Sequence, residues 1–181
     1  NYSEQVWSTA QPMIQLMNRQ LPYTSDTAAV NFFNAALTIM TEIRAVSGGD
    51  QCHRFANPNE SDLVHTQGVV SDSTREIYMN AIAEVIKYAA IDPQPVPLDE
   101  EIAETWDPLI SEFSVVWAED MWMMGVPEDP AVDKNVYCAM LIDYYQRLLD
   151  LPTDQSGRIL RWLVTPEEIE GSVDTVTVDD T

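Results

Sequence analysis

The sequence predicts an all-α protein, one irregular helical bundle of about six to eight helices. Three observations carry that expectation. Apolar residues return at three- and four-residue intervals through most of the chain, the mark of helices with one face buried. Recognisable helix-start residues precede several of these stretches, and proline or glycine falls between them. No repeat at a solenoid period stands out, which favours a bundle over an array.

The first periodic stretch joins Val6, Trp7, Ala10, Met13, Ile14 and Met17. Pro12 lies inside it, so a kink or a restart near Thr9 or Ala10 is expected, and Leu21-Pro22-Tyr23 closes it. Ser25 or Asp26 caps the second helix, whose stripe is Ala29, Phe32, Phe33, Ala36, Met40 and Ile43. Leu37, Ile39 and Val46 widen that stripe, which predicts a central helix covered on more than one side. Ser47-Gly48-Gly49 ends it, since glycine accepts the left-handed conformation of a C-cap. Residues 50–68 then read as a long loop with one short turn around Asp62 to His65.

Ser73-Thr74-Arg75-Glu76 has capping-box spacing, ahead of a face made by Tyr78, Ala81, Ile82, Val85, Tyr88 and Ala89. The prolines of 92–98 forbid helix and preset φ, predicting a stiff crossover between two halves of one domain spanning 1–170. Asp99 opens the next helix, with a break expected at Pro108 behind a new cap at Asp107. Leu109, Phe113, Val116, Trp117, Met121 and Met124 continue the apolar stripe to Gly125. Asp129-Pro130 signals another start, for a helix to Asp150 with Cys138, Leu141, Ile142, Tyr145 and Leu149 inward. A shorter helix covers 157–164, and Thr165-Pro166-Glu167-Glu168 caps one more turn. Residues 171–181 alternate like a strand without a sheet to join, and read as a frayed acidic tail.

Charge dominates the functional reading. Asp and Glu number 30 against 9 Lys and Arg, a formal net charge of -21 on 181 residues. That field repels phosphate backbones and anionic membrane surfaces, so nucleic acid is not an expected partner. A cationic protein or polymer is. The five Trp, seven Tyr and four Phe supply the core that a disordered acidic chain lacks. No apolar run is long enough for a transmembrane helix.

The two cysteines, Cys52 and Cys138, lack zinc-site spacing. A bridge between them ranks first, two structural thiols second, and a catalytic Cys52 beside His53 third, since adjacent side chains rarely hydrogen-bond each other. The chain opens on Asn1, as a cleaved signal peptide, a lipoprotein leader or a trimmed chain would each give. The compartment expected is periplasmic or extracellular, with the cytoplasm as the alternative.

Among the acids, Glu100, Glu104 and Asp107 are spaced to share a helix face and could meet a basic partner. Competing with this, acids at helix starts such as Asp99, Glu100 and Glu101 complement the dipole. Trp117, Met121, Trp122 and Met124 suggest an adaptable contact face, although methionine at helical spacing also fills cores. Arg158 and Arg161 are expected to pair internally with acids. No calcium loop, phosphate loop or nucleophile elbow is present, so no catalytic residue, metal ligand or cofactor is assigned.

The function expected is a non-enzymatic interaction or accessory protein. A glycan-directed hydrolase with a helical Glu or Asp as its acid is the first alternative, and it needs a cleft holding a carboxylate of raised pKa. An acidic DNA mimic is the second.

Overall fold

A computed structural model describes residues 12–57 and 68–166. Readings that rest on Val6, Trp7, Thr9 and Ala10, on Asp62 to His65, or on Glu167 to Thr181 lie outside the described residues. Within them the chain forms seven α-helices and a short 3₁₀ turn, with no strand, as the periodicity predicts. These are α1 (12–20), the 3₁₀ turn Leu21–Tyr23, α2 (Asp26–Ala56), α3 (Asp72–Ile91), α4 (Asp99–Val116), α5 (Trp122–Gly125), α6 (Lys134–Leu149) and α7 (Thr153–Leu163).

Helix α2 is the axis of the molecule, with α3, α6 and α7 each packed directly on it. Ser25 is its cap, in extended conformation with its hydroxyl accepting the Ala28 N–H at 3.2 Å. Ala28, Phe32, Ala35, Ile39 and Ile43 are buried along one side, and Ala29, Phe33, Leu37 and Met40 along others. A helix covered from several directions needs no single polar face, which is why its stripe is wide.

Gly48 breaks α2 where a C-cap is expected, at φ 80° and ψ -177°, a region that side chains other than glycine's hardly enter. The helix then resumes at once and runs to Ala56. This corrects the expectation of a loop from Asp50. The weak periodicity of 50–56 is offset by tertiary ties: the Gly49 N–H donates to Asn135 Oδ1 at 2.9 Å, and Cys52 is disulfide-bonded to Cys138 of α6. Both cysteines are fully buried, with Cα atoms 6.0 Å apart.

The cap of helix α3 lies two residues before the expected one. Ser71, not Ser73, accepts the Thr74 N–H, because Glu42 of α2 takes the Ser71 N–H at 2.8 Å and the Thr74 hydroxyl at 2.6 Å. Residues 92–98 form the extended crossover the prolines dictate, pinned by the Gln94 N–H donating to the Tyr23 carbonyl at 2.8 Å. Helix α4 runs unbroken through Pro108, a second correction. Proline deprives the Glu104 carbonyl of its helical donor. Pro108 is on the exposed side, and continuing the helix keeps Ile102, Trp106, Leu109 and Phe113 on one inward face.

Helix α6 begins at Lys134 rather than beside Asp129-Pro130. Asp133 supplies the cap, with Oδ1 accepting from Asn135 and Val136, while Asp129 Oδ1 closes a turn on the Ala131 N–H. Tyr144 of α6 receives Phe113 at 5.3 Å and Trp106 at 6.0 Å between ring centroids, which attaches α4 to the core. Helix α7 starts at Thr153, one turn before its expected start, and Gly157 lets it approach α2: a Cβ there would lie 2.5 Å from Asp26 Cα. Arg161, 4% exposed, donates from Nε to the Pro22 carbonyl, from Nη1 to Asp26 Oδ1, and from Nη2 to the Pro95 carbonyl. The Arg158 side chain pairs with Asp154 on the outer side of the same helix. Both arginines are therefore used internally, as the sequence suggested.

Candidate functional site

The described carboxylates divide by what they touch. Many are used by the fold. Asp99 accepts the indole N–H of Trp162 at 2.8 Å, Glu101 the Leu98 N–H at 2.7 Å, and Asp143 both Trp117 Nε1 and Arg147 Nε. Glu42 is held below the ordinary carboxylate range by the Thr74 hydroxyl and then the Ser71 N–H. Asp50 is lowered likewise, first by its hydrogen bond from Lys134.

A second set makes no hydrogen bond or ion pair among the described residues: Glu100, Glu104, Asp107, Glu112, Glu119, Asp120 and Glu128, with Glu76 apart on α3. All but Glu76 fall on α4, α5 and the turns around them. The chain from Tyr88 to Asp133 contains no Lys, Arg or His, so no base of their own stretch neutralises them, although Glu128 shares a pocket with Arg54 and Lys134. Glu100, Glu104 and Asp107 are all exposed along one stripe of α4, as their spacing predicts. The uneven placing of the nine basic residues was readable from the sequence alone, and is the signal that the overall composition conceals.

The aromatic and methionine part of this side is mixed. Trp117 is half-buried against Phe113, with its indole committed to Asp143, and Met121 and Met124 pack partly on the core. Met123 is buried outright. Trp122 turns outward at 46% exposure. Val115, Val116 and Val126 are exposed as well: Val116, expected on the apolar stripe, is 60% exposed because α4 ends at it, and Val115, 78% exposed and outside that stripe, is the most exposed large apolar residue described. The Asp120 and Met121 N–H groups both return to the Trp117 carbonyl, and Met123 N–H to Asp120, so tight turns keep the stretch from Val115 to Val126 at one end of α4.

The other concentration of functional groups is a polar pocket of about 250 Å³ where α2 ends against the start of α6. His53, Arg54, Asn57, Glu128 and Lys134 line it. His53 is buried edge-on to Tyr137 at 4.9 Å, with Nε2 2.8 Å from the Pro127 carbonyl oxygen. A carbonyl only accepts, so Nε2 carries the proton and the ring ties α2 to the turn before α6. The disulfide removes Cys52 from any nucleophilic role beside it. Among the described residues no group of three or more His, Cys, Asp or Glu is placed to hold a metal ion, and no helix is long and apolar enough to cross a membrane.

No family model, curated protein or solved structure matches this chain.

Proposed function

We propose that this is a non-enzymatic, extracytoplasmic interaction protein whose α4–α5 side meets a cationic protein or polymer. One observation carries the reading: among the described residues the carboxylates left unpartnered by the fold, Glu76 and Glu128 aside, lie on α4 and the turn after it, in a stretch that supplies no base of its own. Charges kept uncompensated in one region cost the folded state through self-repulsion, and a partner of opposite sign relieves that cost. The buried disulfide supports a compartment where such bonds persist. The hydrolase reading gains no support among the described residues, where the carboxylates with displaced titration, Glu42 and Asp50, shift downward, opposite to a general acid.

Poly-L-lysine is a suitable first probe. Calorimetric binding should weaken steeply as salt rises, and should be lost when Glu100, Glu104 and Asp107 are reversed to Lys together. Reversing Glu76 on α3 should change it little. Binding that ignores salt and survives the triple reversal would count against the proposal.

A further inference from the structure

We infer that the occupant of this side is a polypeptide segment that sets bulky apolar side chains among lysines and arginines, as a basic amphipathic helix does. The inference rests on the proposed function and narrows it. Pure charge attraction would need only carboxylates, yet the same end of α4 leaves Val115, Val116, Trp122 and Val126 in solvent. Valine and tryptophan gain from being covered, and the exposed Glu112 and Glu119 flank Val115 and Val116 in the chain, so apolar groups (the centre) and carboxylates (the rim) share this end of α4. A hydrophilic polycation would satisfy the rim and leave the centre wet. A neutral apolar segment would cover the centre and leave the rim unpaired.

Charge also rules on two nearer occupants. A second copy carries the same formal charge of -21. The chain's own residues 167–181 hold six acids and no base. Either would set like charge against like, whereas a basic segment gains on both counts. The exposed apolar residues Ile77 and Ile91 lie on a different helix, α3, each beside a single carboxylate in the chain (Glu76, Asp92), and serve as the internal control.

The test uses the full chain and two synthetic peptides of equal length and charge. One repeats leucine and lysine so that a helix would be amphipathic, and the other has serine at every leucine. The leucine peptide should bind at least about ten-fold more tightly, a difference of ~1.4 kcal/mol. Trp122→Ala and, separately, Val115→Ser should erase most of that difference while leaving the serine peptide unaffected. Ile91→Ser should not. Both substituted residues are exposed enough for the fold to survive, which far-UV circular dichroism verifies.

Equal binding of the two peptides, unmoved by Trp122→Ala, would overturn this inference and leave the proposed function standing. So would sensitivity to Ile91→Ser in place of Trp122→Ala, or a dimer in sedimentation that Trp122→Ala dissolves. If neither peptide binds at low salt, the proposed function itself falls.

Discussion

Arg161 of α7 reaches Asp26 at the start of α2 across 2.8 Å, and the same guanidinium also bonds carbonyls of the 3₁₀ turn and the proline crossover. One side chain thus ties α7 to the 22–26 stretch and to the crossover at Pro95, both far from it in sequence. Removing it strands a partly buried carboxylate and two carbonyl acceptors together, so Arg161→Ala should cost about 3 kcal/mol. Arg161→Lys should recover little, because a single ammonium cannot present a planar fork to three acceptors. The midpoint of urea unfolding measures both. A lysine variant as stable as the native chain would show the geometry to be dispensable.

The Cys52–Cys138 bridge closes a loop with a sequence separation of 86. Chain-entropy reasoning for a loop of that size gives about 4–5 kcal/mol of stabilisation. Because both sulfurs are buried, a reductant should act slowly on the folded protein and quickly once denaturant opens it. Thiol titration of the denatured, unreduced chain should find no free thiol. The double replacement Cys52→Ala with Cys138→Ala should lower the unfolding midpoint sharply. Equal reduction rates with and without denaturant would contradict the burial.

Much of this architecture was legible because its signals are local. The Ser25 cap, the wide stripe around Phe33 and Met40, and the prolines of 92–98 each act through residues close in sequence. Start sites went astray where two caps competed. Ser71 prevails over Ser73 through Glu42, and Asp133 over Asp129 through two N–H groups of its own first turn. Neither choice can be made from spacing alone. Helix 49–56 escaped notice because what holds it, Asn135 and Cys138, lies on another element. At the candidate site the Glu100, Glu104 and Asp107 stripe followed from helical geometry. The half-burial of Trp117 did not, since Asp143, its partner, is carried on α6.

Gly48 offers a sharper test of backbone strain. Its φ of 80° with ψ near -177° is closed to an L side chain, although a Cβ there would meet no atom within 4 Å. Gly48→Ala should therefore destabilise by about 1–3 kcal/mol through conformation alone. Gly125→Ala is the matched comparison, because its Cβ also enters open space and its φ is not positive. It should be neutral or slightly stabilising, since alanine loses less backbone entropy on folding. Similar losses at both positions in thermal unfolding would mean that the break in α2 relaxes without penalty.

Alkaline pH should dismantle the core through its phenols. Tyr78 packs on Phe32 and Phe55, and Tyr145 on Phe33. Burial pushes each up to about 12, from an ordinary value of 10.0, because a phenolate there would lose its hydration. A folded-state value above the unfolded one favours folding fully below pH 10 and progressively less as pH rises toward 12. Phenolate absorbance from these residues should consequently appear together with loss of helical circular dichroism, in that window. Tyr78→Phe deletes one such group while keeping the ring, so it should move the alkaline midpoint upward and leave neutral-pH stability nearly unchanged. Complete tyrosine ionisation near pH 10 with the helical signal intact would show these rings to be open to water.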